Sequence, residues 1–283
     1  MPETAQPRYA SVDVTARCPL RCAHCYFYRR PVEGDDLPEE RFLGGLRALR
    51  GASSVDCMLW LGGEPLARPG TVVRGSRLFR RNALFTNGLL PIPAEFAGGV
   101  AVSLDGPEPV HDSLRGRGTF GRILKNLEGG RDRLFHCTIT RSNRFAIRPL
   151  AEALSRVDAA GLLFGFYSPL IGEAGAWPLT ARERDAAVDD LQDLAAEYPL
   201  VLNTPASLDL MRPGSVPAVA ARCMYRTGEA VALDHRLRAK RPCSYGAGAD
   251  CSRCGCPALF LRAAAVGGDG AARGVLAGFF RAA

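Results

Sequence analysis

Six short runs of apolar and β-branched residues recur along the first two thirds of the chain: ASVDV (10–14), VDCMLWL (55–61), NALFT (82–86), VAVSL (100–104), LFHCTIT (134–140) and GLLFGFY (161–167). Segments of helical character separate most of them: PEERFLGGLRALR (38–50), GTFGRILKNLEGG (118–130) with glycines at its end, FAIRPLAEALSRVDAAG (145–161), and TARERDAAVDDLQDLAAEY (180–198) behind a threonine cap. The segments near 70–80 and 91–98 are short and interrupted by proline, so they are weak helices. This alternation predicts an α/β fold of parallel strands with helical crossovers. Six such units make a partial (β/α)6 TIM-like barrel, whose missing units leave an open side for a bulky substrate.

After about residue 205 the pattern changes. RCMYRTGEAVALDHRLRAKRPC and CSRCGC are rich in cysteine, and AVALDHRLRAKRP between them reads as a hairpin. The expected division is a barrel over 1–204 and a small C-terminal cysteine-rich module over 205–283, held more by cysteine chemistry than by an apolar core.

A length of 283 residues with 47% hydrophobic content allows one large core and a small appendage. The start MPETAQPRYASVDV lacks a secretory signal. No run of about 18 apolar residues escapes a charge or proline, so the expectation is a cytoplasmic protein without a membrane span. The ten cysteines are then free thiols, available for metal or catalysis. The net charge of +7 comes mostly from scattered arginines without basic blocks. That pattern argues against nucleic acid and describes a solvated basic surface, with docking of an acidic electron donor as a second use.

TARCPLRCAHCY (15–26) follows the first strand directly, which puts Cys18, Cys22 and Cys25 in the loop at the catalytic end of a β/α barrel. Three thiolates at this spacing suit a 4Fe-4S cluster with one iron left open. Closed zinc needs a fourth ligand, which His24 supplies only by bending back into the loop.

On this triplet, and on LWLGGEPL (59–66) behind it, the chain resembles the radical S-adenosylmethionine (radical SAM) superfamily, in which such a triplet occupies the first loop of a partial barrel. The resemblance implies that Gly62, Gly63 and Glu64 meet the amino group of S-adenosylmethionine: glycine permits close approach and a carboxylate takes an amine. LFTNGLL, VSLDGPEPVHDSLRGRGTF and TITRSN are similar to the next three strand-end motifs. They make Thr86, Asn87, Ser103, Asp105 and Asn143 candidates for the ribose and carboxylate of the cofactor, although polar residues at strand ends also serve as caps and turn formers. His111, Asp112 and Arg115 read better as a structural hydrogen-bond cluster. The resemblance covers about residues 9–170. It implies chelation of the open iron by S-adenosylmethionine, one-electron cleavage to methionine and a 5'-deoxyadenosyl radical, and a flavodoxin- or ferredoxin-type electron donor.

Cys223, Cys243, Cys251, Cys254 and Cys256 form a second group, and four thiols suffice for a closed 4Fe-4S cluster. The tail resembles an auxiliary-cluster extension called a twitch domain, a shortened SPASM domain, which implies Cys223, Cys243, Cys251 and Cys254 as ligands. The final Cys-x-Cys departs from that pattern, so Cys254 and Cys256 can exchange roles, and structural zinc on the same thiols is the alternative. Cys57 and Cys137 read as small buried side chains, with Cys137 facing the barrel interior as the other option.

A spare thiol is a hydrogen-atom donor, which makes Cys256 a catalytic candidate and favours an epimerase acting on a small molecule such as an amino sugar or aminocyclitol. Three alternatives stand beside it. A dehydrogenase would pass its electron to the second cluster. Maturation of a ribosomal peptide is disfavoured by the short segment before Cys18. A non-catalytic cluster-binding scaffold is disfavoured by the complete triplet and Gly-Gly-Glu-Pro. The sequence does not set the oligomeric state.

Overall fold

The computed structural model describes residues 8–29, 31–127, 133–157 and 159–282. Its elements run β1 (Tyr9–Asp13), α1 (Glu39–Ala52), β2 (Cys57–Leu61), α2 (Pro69–Ser76), β3 (Arg81–Thr86), β4 (Gly99–Ser103), α3 (Glu108–Arg115), α4 (Thr119–Leu127), β5 (Arg133–Ile139), α5 (Ile147–Leu154) and β6 (Gly161–Phe166). Then follow α6 (Ala181–Glu197), α7 (Pro205–Leu210), α8 (Val216–Ala221), α9 (Met224–Thr227), β7 (Ala230–Leu233), α10 (Pro257–Val266), α11 (Gly270–Phe279) and β8 (Arg281–Ala282).

Seven strands form one parallel sheet in the order β6-β5-β4-β3-β2-β1-β7, and β8 pairs antiparallel with β3. All six expected strands are present to within about two residues at each end. The expected hairpin contributes β7 to the main sheet, in parallel register with β1 (Tyr9 with Ala230). Beyond it the chain turns back, with a bridge between Leu233 and Ala239 and Lys240 N donating to Ala232 O at 2.8 Å.

One face of the sheet packs on helices. Val12, Trp60, Leu84, Val102 and Phe164 are fully buried with Phe42 of α1 in the main core. Leu150 of α5 and Leu191 of α6 join them. Cys137 belongs to this helix-covered core beside Phe135 and Ile139, so it faces away from the barrel interior. Trp60 explains the short helix α2: its Nε1 donates to Asn82 Oδ1 at 3.0 Å, and Gly75 lies against its ring, where a Cβ would approach to 2.4 Å. Helix α6 starts on a capping box of Thr180 and Glu183. Helix α5 stops at Leu154, short of the expected 161, and the segment 91–98 is not helical. Of the expected helix 118–130, the part 128–130 with its glycines lies outside the described residues, as does Asp158.

The other face of the sheet bears Ala101, Leu134 and Leu163, and these are covered by Leu261 and Ala264 of α10 and Leu276 of α11. The C-terminal helices thus occupy part of the interior that the six-unit barrel leaves open. The end of α11 presses on the start of β4, where a Cβ on Gly99 would lie 1.9 Å from Phe279 O. Between this cover and the cysteine loop remains a cavity of about 530 Å³.

The entry to α10 is fixed on the end of β6. Phe166 N donates to Gly255 O at 2.9 Å, and Gly255 N donates to Ser168 Oγ at 2.8 Å. A Cβ on Gly255 would lie 1.8 Å from Phe166 O. Gly255→Ala should therefore destabilise the fold by about 3 kcal/mol, the upper end for overpacking, because a backbone carbonyl cannot swing aside. Urea unfolding of the variant checks this, and an unchanged midpoint would contradict the packing described.

Candidate active site

Two loops at the C-terminal ends of neighbouring strands are joined through their backbones. Val14 N donates to Leu61 O at 2.8 Å, Gly63 N to Thr15 O at 2.9 Å and Glu64 N to Arg17 O at 2.8 Å. At Gly62, φ is +131°, a region that disfavours any other residue. A Cβ on Gly63 would stand 2.4 Å from Arg17 O. The two glycines are required because the backbone of the cysteine loop lies directly upon them. Asp36 secures the other side of that loop, accepting from Thr15 Oγ1 at 2.5 Å and Ala16 N at 2.8 Å. Within the loop, Cys25 N donates to Cys22 O at 3.1 Å, and Ala23 N reaches Leu114 O at 2.9 Å.

Glu64 fastens the end of β2 to the end of β3. Its Oε1 accepts from Leu66 N at 3.0 Å and Thr86 Oγ1 at 2.8 Å, and its Oε2 accepts from Asn87 N at 2.8 Å. Burial pushes its carboxyl above the usual range although these donors pull it down. An ionised carboxylate accepts about four hydrogen bonds, so one position stays open beyond these three. Asn87 Oδ1 accepts from Leu89 N at 2.9 Å, while its Nδ2 donates to Cys18 Sγ at 3.6 Å. The amide thus orients the first thiol of the triplet.

Asp105 is a fully buried hub. It pairs with His24 Nε2 at 3.1 Å and with Arg115 Nε, and its Oδ1 accepts from Thr138 N at 2.9 Å. Burial alone would raise its carboxyl, but the Arg115 guanidinium and His24 outweigh that and hold it well below the usual range. Burial pushes His111 down to about 4, and its Nδ1 accepts from Asp105 N at 3.2 Å. Asp112 accepts from Phe120 N at 2.9 Å and holds the start of α4. Asn143 is also fully engaged: Oδ1 accepts from Thr140 N at 2.6 Å and Thr140 Oγ1 at 2.8 Å, and Nδ2 donates to Asp105 O at 2.8 Å and Thr138 O at 3.0 Å.

The 530 Å³ cavity gathers most of the residues singled out from sequence. Cys18, Cys22 and Cys25 line it together with Gly62, Gly63 and Glu64. Thr86, Asn87, Ser103 and Cys256 complete that set. Asp105 and Asn143 stand behind the wall and organise it. Sequence reading did not find His24 and Arg115 as wall residues held by a common carboxylate, nor His136, which burial pushes down to about 4. His136 alternates with the outward Phe135 and Cys137 along β5, a signal that a strict two-residue period carries.

Cys223, Cys243, Cys251 and Cys254 lie off the cavity. Burial pushes the Cys243 thiol up to about 12, and the neighbouring Cys254, Cys223 and Cys251 add to the rise. Burial likewise takes Cys254 to about 11, with Cys223 and Cys251 again contributing. These thiols therefore feel one another electrostatically. Buried Arg184 pins their loop, donating from Nη2 to Cys254 O at 2.7 Å and from Nε to Met211 O at 2.7 Å. Cys256, the N-cap of α10, is raised by burial and then by Cys254, and it alone of the five reaches the cavity wall. Tyr26, next to Cys25, meets Tyr245 edge to face at 5.1 Å and so joins the two cysteine regions.

Among the described residues, no three or more His, Cys, Asp or Glu side chains close on a single-ion centre. Three half-buried thiols on one loop, with an amide donor on the first sulfur, are a donor set that suits an iron-sulfur cluster. Burial holds Cys18 up at about 11, so binding there must expel its proton. No helix among the described residues is long and apolar enough to cross a membrane.

Residues 12–142 match the sequence model of the Radical SAM superfamily. Over 139 residues, 44% of this chain, the sequence is 30% identical to the antilisterial bacteriocin subtilosin biosynthesis protein AlbA of Bacillus subtilis (strain 168). The matched segment spans 31% of that relative, so this chain accounts for about a third of its length. The structure is similar to that of anSMEcpe with bound AdoMet, at TM-score 0.66 and 17% identity over 84% of this chain and 74% of the other. It is similar also to Streptococcus suis SuiB bound to precursor peptide SuiA, at TM-score 0.64 and 14% identity over 85% of this chain and 60% of the other. At these identities both likenesses are of fold.

Replacing Asp105 by Asn leaves Arg115 buried without its counter-ion and weakens the contact with His24, so Asp105→Asn should lose about 3–5 kcal/mol of stability at pH 7. Because the folded pKa of Asp105 lies below its unfolded value, its contribution is full above about pH 4 and fades as pH falls through the folded pKa. Urea titrations of both proteins should show a deficit that is constant from pH 7 to about pH 5 and narrows below about pH 4. A deficit independent of pH would contradict the ion-pair account.

Proposed function

We propose that this chain, a radical SAM superfamily protein by its residues 12–142, is an enzyme that modifies a peptide held in the 530 Å³ cavity between its two cysteine regions. The observation that carries this reading is that one cavity wall bears both the Cys18–Cys22–Cys25 triplet and Cys256. A substrate carbon that loses a hydrogen atom in such a cavity can regain one from a thiol on the same wall, or pass an electron to a group beside it.

In this reading Cys18, Cys22 and Cys25 hold a 4Fe-4S cluster, and Gly62, Gly63, Glu64, Thr86, Asn87 and Ser103 border S-adenosylmethionine. When bound, the two supply one-electron carbon-sulfur cleavage and abstraction of hydrogen from unactivated carbon. The residues of the chain do the rest. The glycines let the cofactor approach the backbone, and the remaining acceptor position of Glu64 suits a cationic amine. Asp105 and Asn143 hold the strand ends rigid behind the wall. The apolar wall, with Phe85, Leu163 and Leu261 among its members, limits water and competing hydrogen donors. Cys223, Cys243, Cys251 and Cys254 hold a second 4Fe-4S cluster, in a C-terminal unit that starts near residue 205. Cys256 keeps its hydrogen at Sγ, facing the substrate.

A peptide replaces the amino sugar or aminocyclitol expected from the sequence. Support comes from the 30% identity to a bacteriocin biosynthesis protein and from the shared fold of a protein solved with its precursor peptide. The surface charge of +7 suits an acidic flavodoxin- or ferredoxin-type donor.

Two measurements test these assignments. Iron and sulfide analysis after anaerobic reconstitution should give about eight irons per chain, whereas about four would remove the second cluster. Reconstituted enzyme, reductant and S-adenosylmethionine in deuterated water should form deoxyadenosine in step with a mass change in a candidate precursor peptide. A peptide that gains one deuterium, and loses that gain in Cys256→Ala, supports hydrogen return by Cys256. A peptide two hydrogens lighter supports oxidation and removes the thiol from the reaction. Turnover with amino sugars and none with any peptide would overturn the peptide reading.

A further inference from the structure

His136 stands among apolar side chains on the wall of the 530 Å³ cavity. On β5 it follows Leu134 on the same face, its register partner on β6 is Leu163, and the Phe85 ring of β3 meets it near a right angle at 5.6 Å. Its register partner on β4 is Ser103. Neither ring nitrogen has a hydrogen-bond partner among the described residues, yet both keep accessible surface. The other three histidines each spend a nitrogen on the protein: His24 on Asp105, His111 on Asp105 N and His235 on Gly34 O.

An imidazole left without partners in apolar surroundings bears a desolvation cost that an incoming polar group would offset. The few polar groups of an apolar cavity are also the ones that fix the orientation of a ligand. Burial keeps this ring neutral at pH 7, so it offers one N–H donor and one nitrogen acceptor. Gly165 shows where the ring lies. A Cβ there would come to 2.7 Å from Pro257 Cδ, 3.0 Å from Gly255 O and 3.2 Å from His136 Nε2. The imidazole edge thus approaches the two residues that flank Cys256, across a position that bears no side chain.

We infer that His136 holds an amide of the substrate in this cavity. The inference deepens the peptide reading, in which that amide belongs to the backbone beside the reacting residue, and the choice of an amide over a hydroxyl comes from that reading. The carbonyl oxygen of an amide can accept from the ring N–H, or its N–H can donate to the other nitrogen. Charged groups fit less well. The cations of the wall, Arg115 and His24, are held by Asp105, and the Glu64 carboxylate already accepts three hydrogen bonds. Ser103, which borders S-adenosylmethionine in the proposed reading, lies on one side of His136, and the turn that carries Cys256 lies beyond Gly165 on the other. An amide anchored at His136 therefore brings the adjoining carbon within the space that the cofactor and Cys256 share.

The test uses the full reconstituted chain with S-adenosylmethionine bound, and three probes built on one ring: benzamide, benzyl alcohol and toluene. In protein labelled with nitrogen-15 histidine, saturating benzamide should shift the signals of one of the four histidine rings, the one absent from His136→Phe and His136→Gln. His136→Phe keeps an aromatic ring beside Phe85, so a packing role alone predicts no change in binding. In saturation-transfer NMR titrations it should instead weaken benzamide about tenfold while toluene, which reports an intact cavity, stays within about twofold. His136→Gln keeps a donor and an acceptor and should retain most of the affinity. Absence of benzamide binding, no shift in any histidine ring, or equal affinity of benzamide for the wild type and a folded His136→Phe would each overturn the proposal. Benzyl alcohol binding more tightly than benzamide, with the same dependence on His136, would overturn the amide in favour of a hydroxylated substrate. Benzamide bound through His136 with no peptide modified in turnover assays would uphold the anchor and defeat only the peptide reading. A precursor peptide modified equally well by the wild type and His136→Phe would defeat the anchor alone.

Discussion

Three backbone hydrogen bonds between the loop after β1 and the loop after β2 underlie the rest of the site. They require that two chain segments lie in contact without side chains between them, and Gly62 and Gly63 meet that requirement. Once the loops are joined, Cys18, Cys22 and Cys25 take a fixed position over the sheet, and Glu64 can bond to Thr86 and Asn87 of the next strand end. Asn87 in turn donates to Cys18, which closes a circuit from the first loop through the second to the third. A side chain at either glycine would open this circuit at its start.

Charge is arranged around the same circuit. Asp105 holds His24 of the cysteine loop, Arg115 of α3 and the backbone of β5 at once, so that one buried carboxylate sets the far wall. Its partners keep it ionised against the cost of burial. Cys18, Cys243 and Cys254 lie in the opposite condition, their thiols raised by burial and by neighbouring thiols.

The C-terminal segment has two roles in this arrangement. Strand β7 lengthens the sheet beside β1, while α10 and α11 fill the inner face near the start of β4. Between these two attachments runs the chain that carries Cys243, Cys251, Cys254 and Cys256, fixed by Arg184 and by the contact of Gly255 with Phe166. This double attachment sets Cys256 on the cavity wall and leaves Cys243, Cys251 and Cys254 off it.

The sequence by itself determined the six strands, the capped α6 and the triplet, because each is written in local terms: apolar runs, an N-cap box, and a fixed spacing of three thiols behind a strand. It also identified most residues that line the cavity, since strand-end loops of a parallel sheet face one side. Tertiary structure alone decided what those residues are bonded to. Asp105 and Asn143 are cofactor candidates as polar residues at strand ends, and only the fold shows that Asp105 is bonded to His24 and Arg115 and Asn143 to Asp105 O. The helices α7, α8, α10 and α11 and the docking of β7 on β1 were also beyond it, for they depend on which apolar face remains uncovered after the sheet has formed. Choice between Cys254 and Cys256 falls under the same limit: their Cys-x-Cys spacing lets them exchange roles, and it is the fold that puts Cys256 on the cavity wall and Cys254 off it.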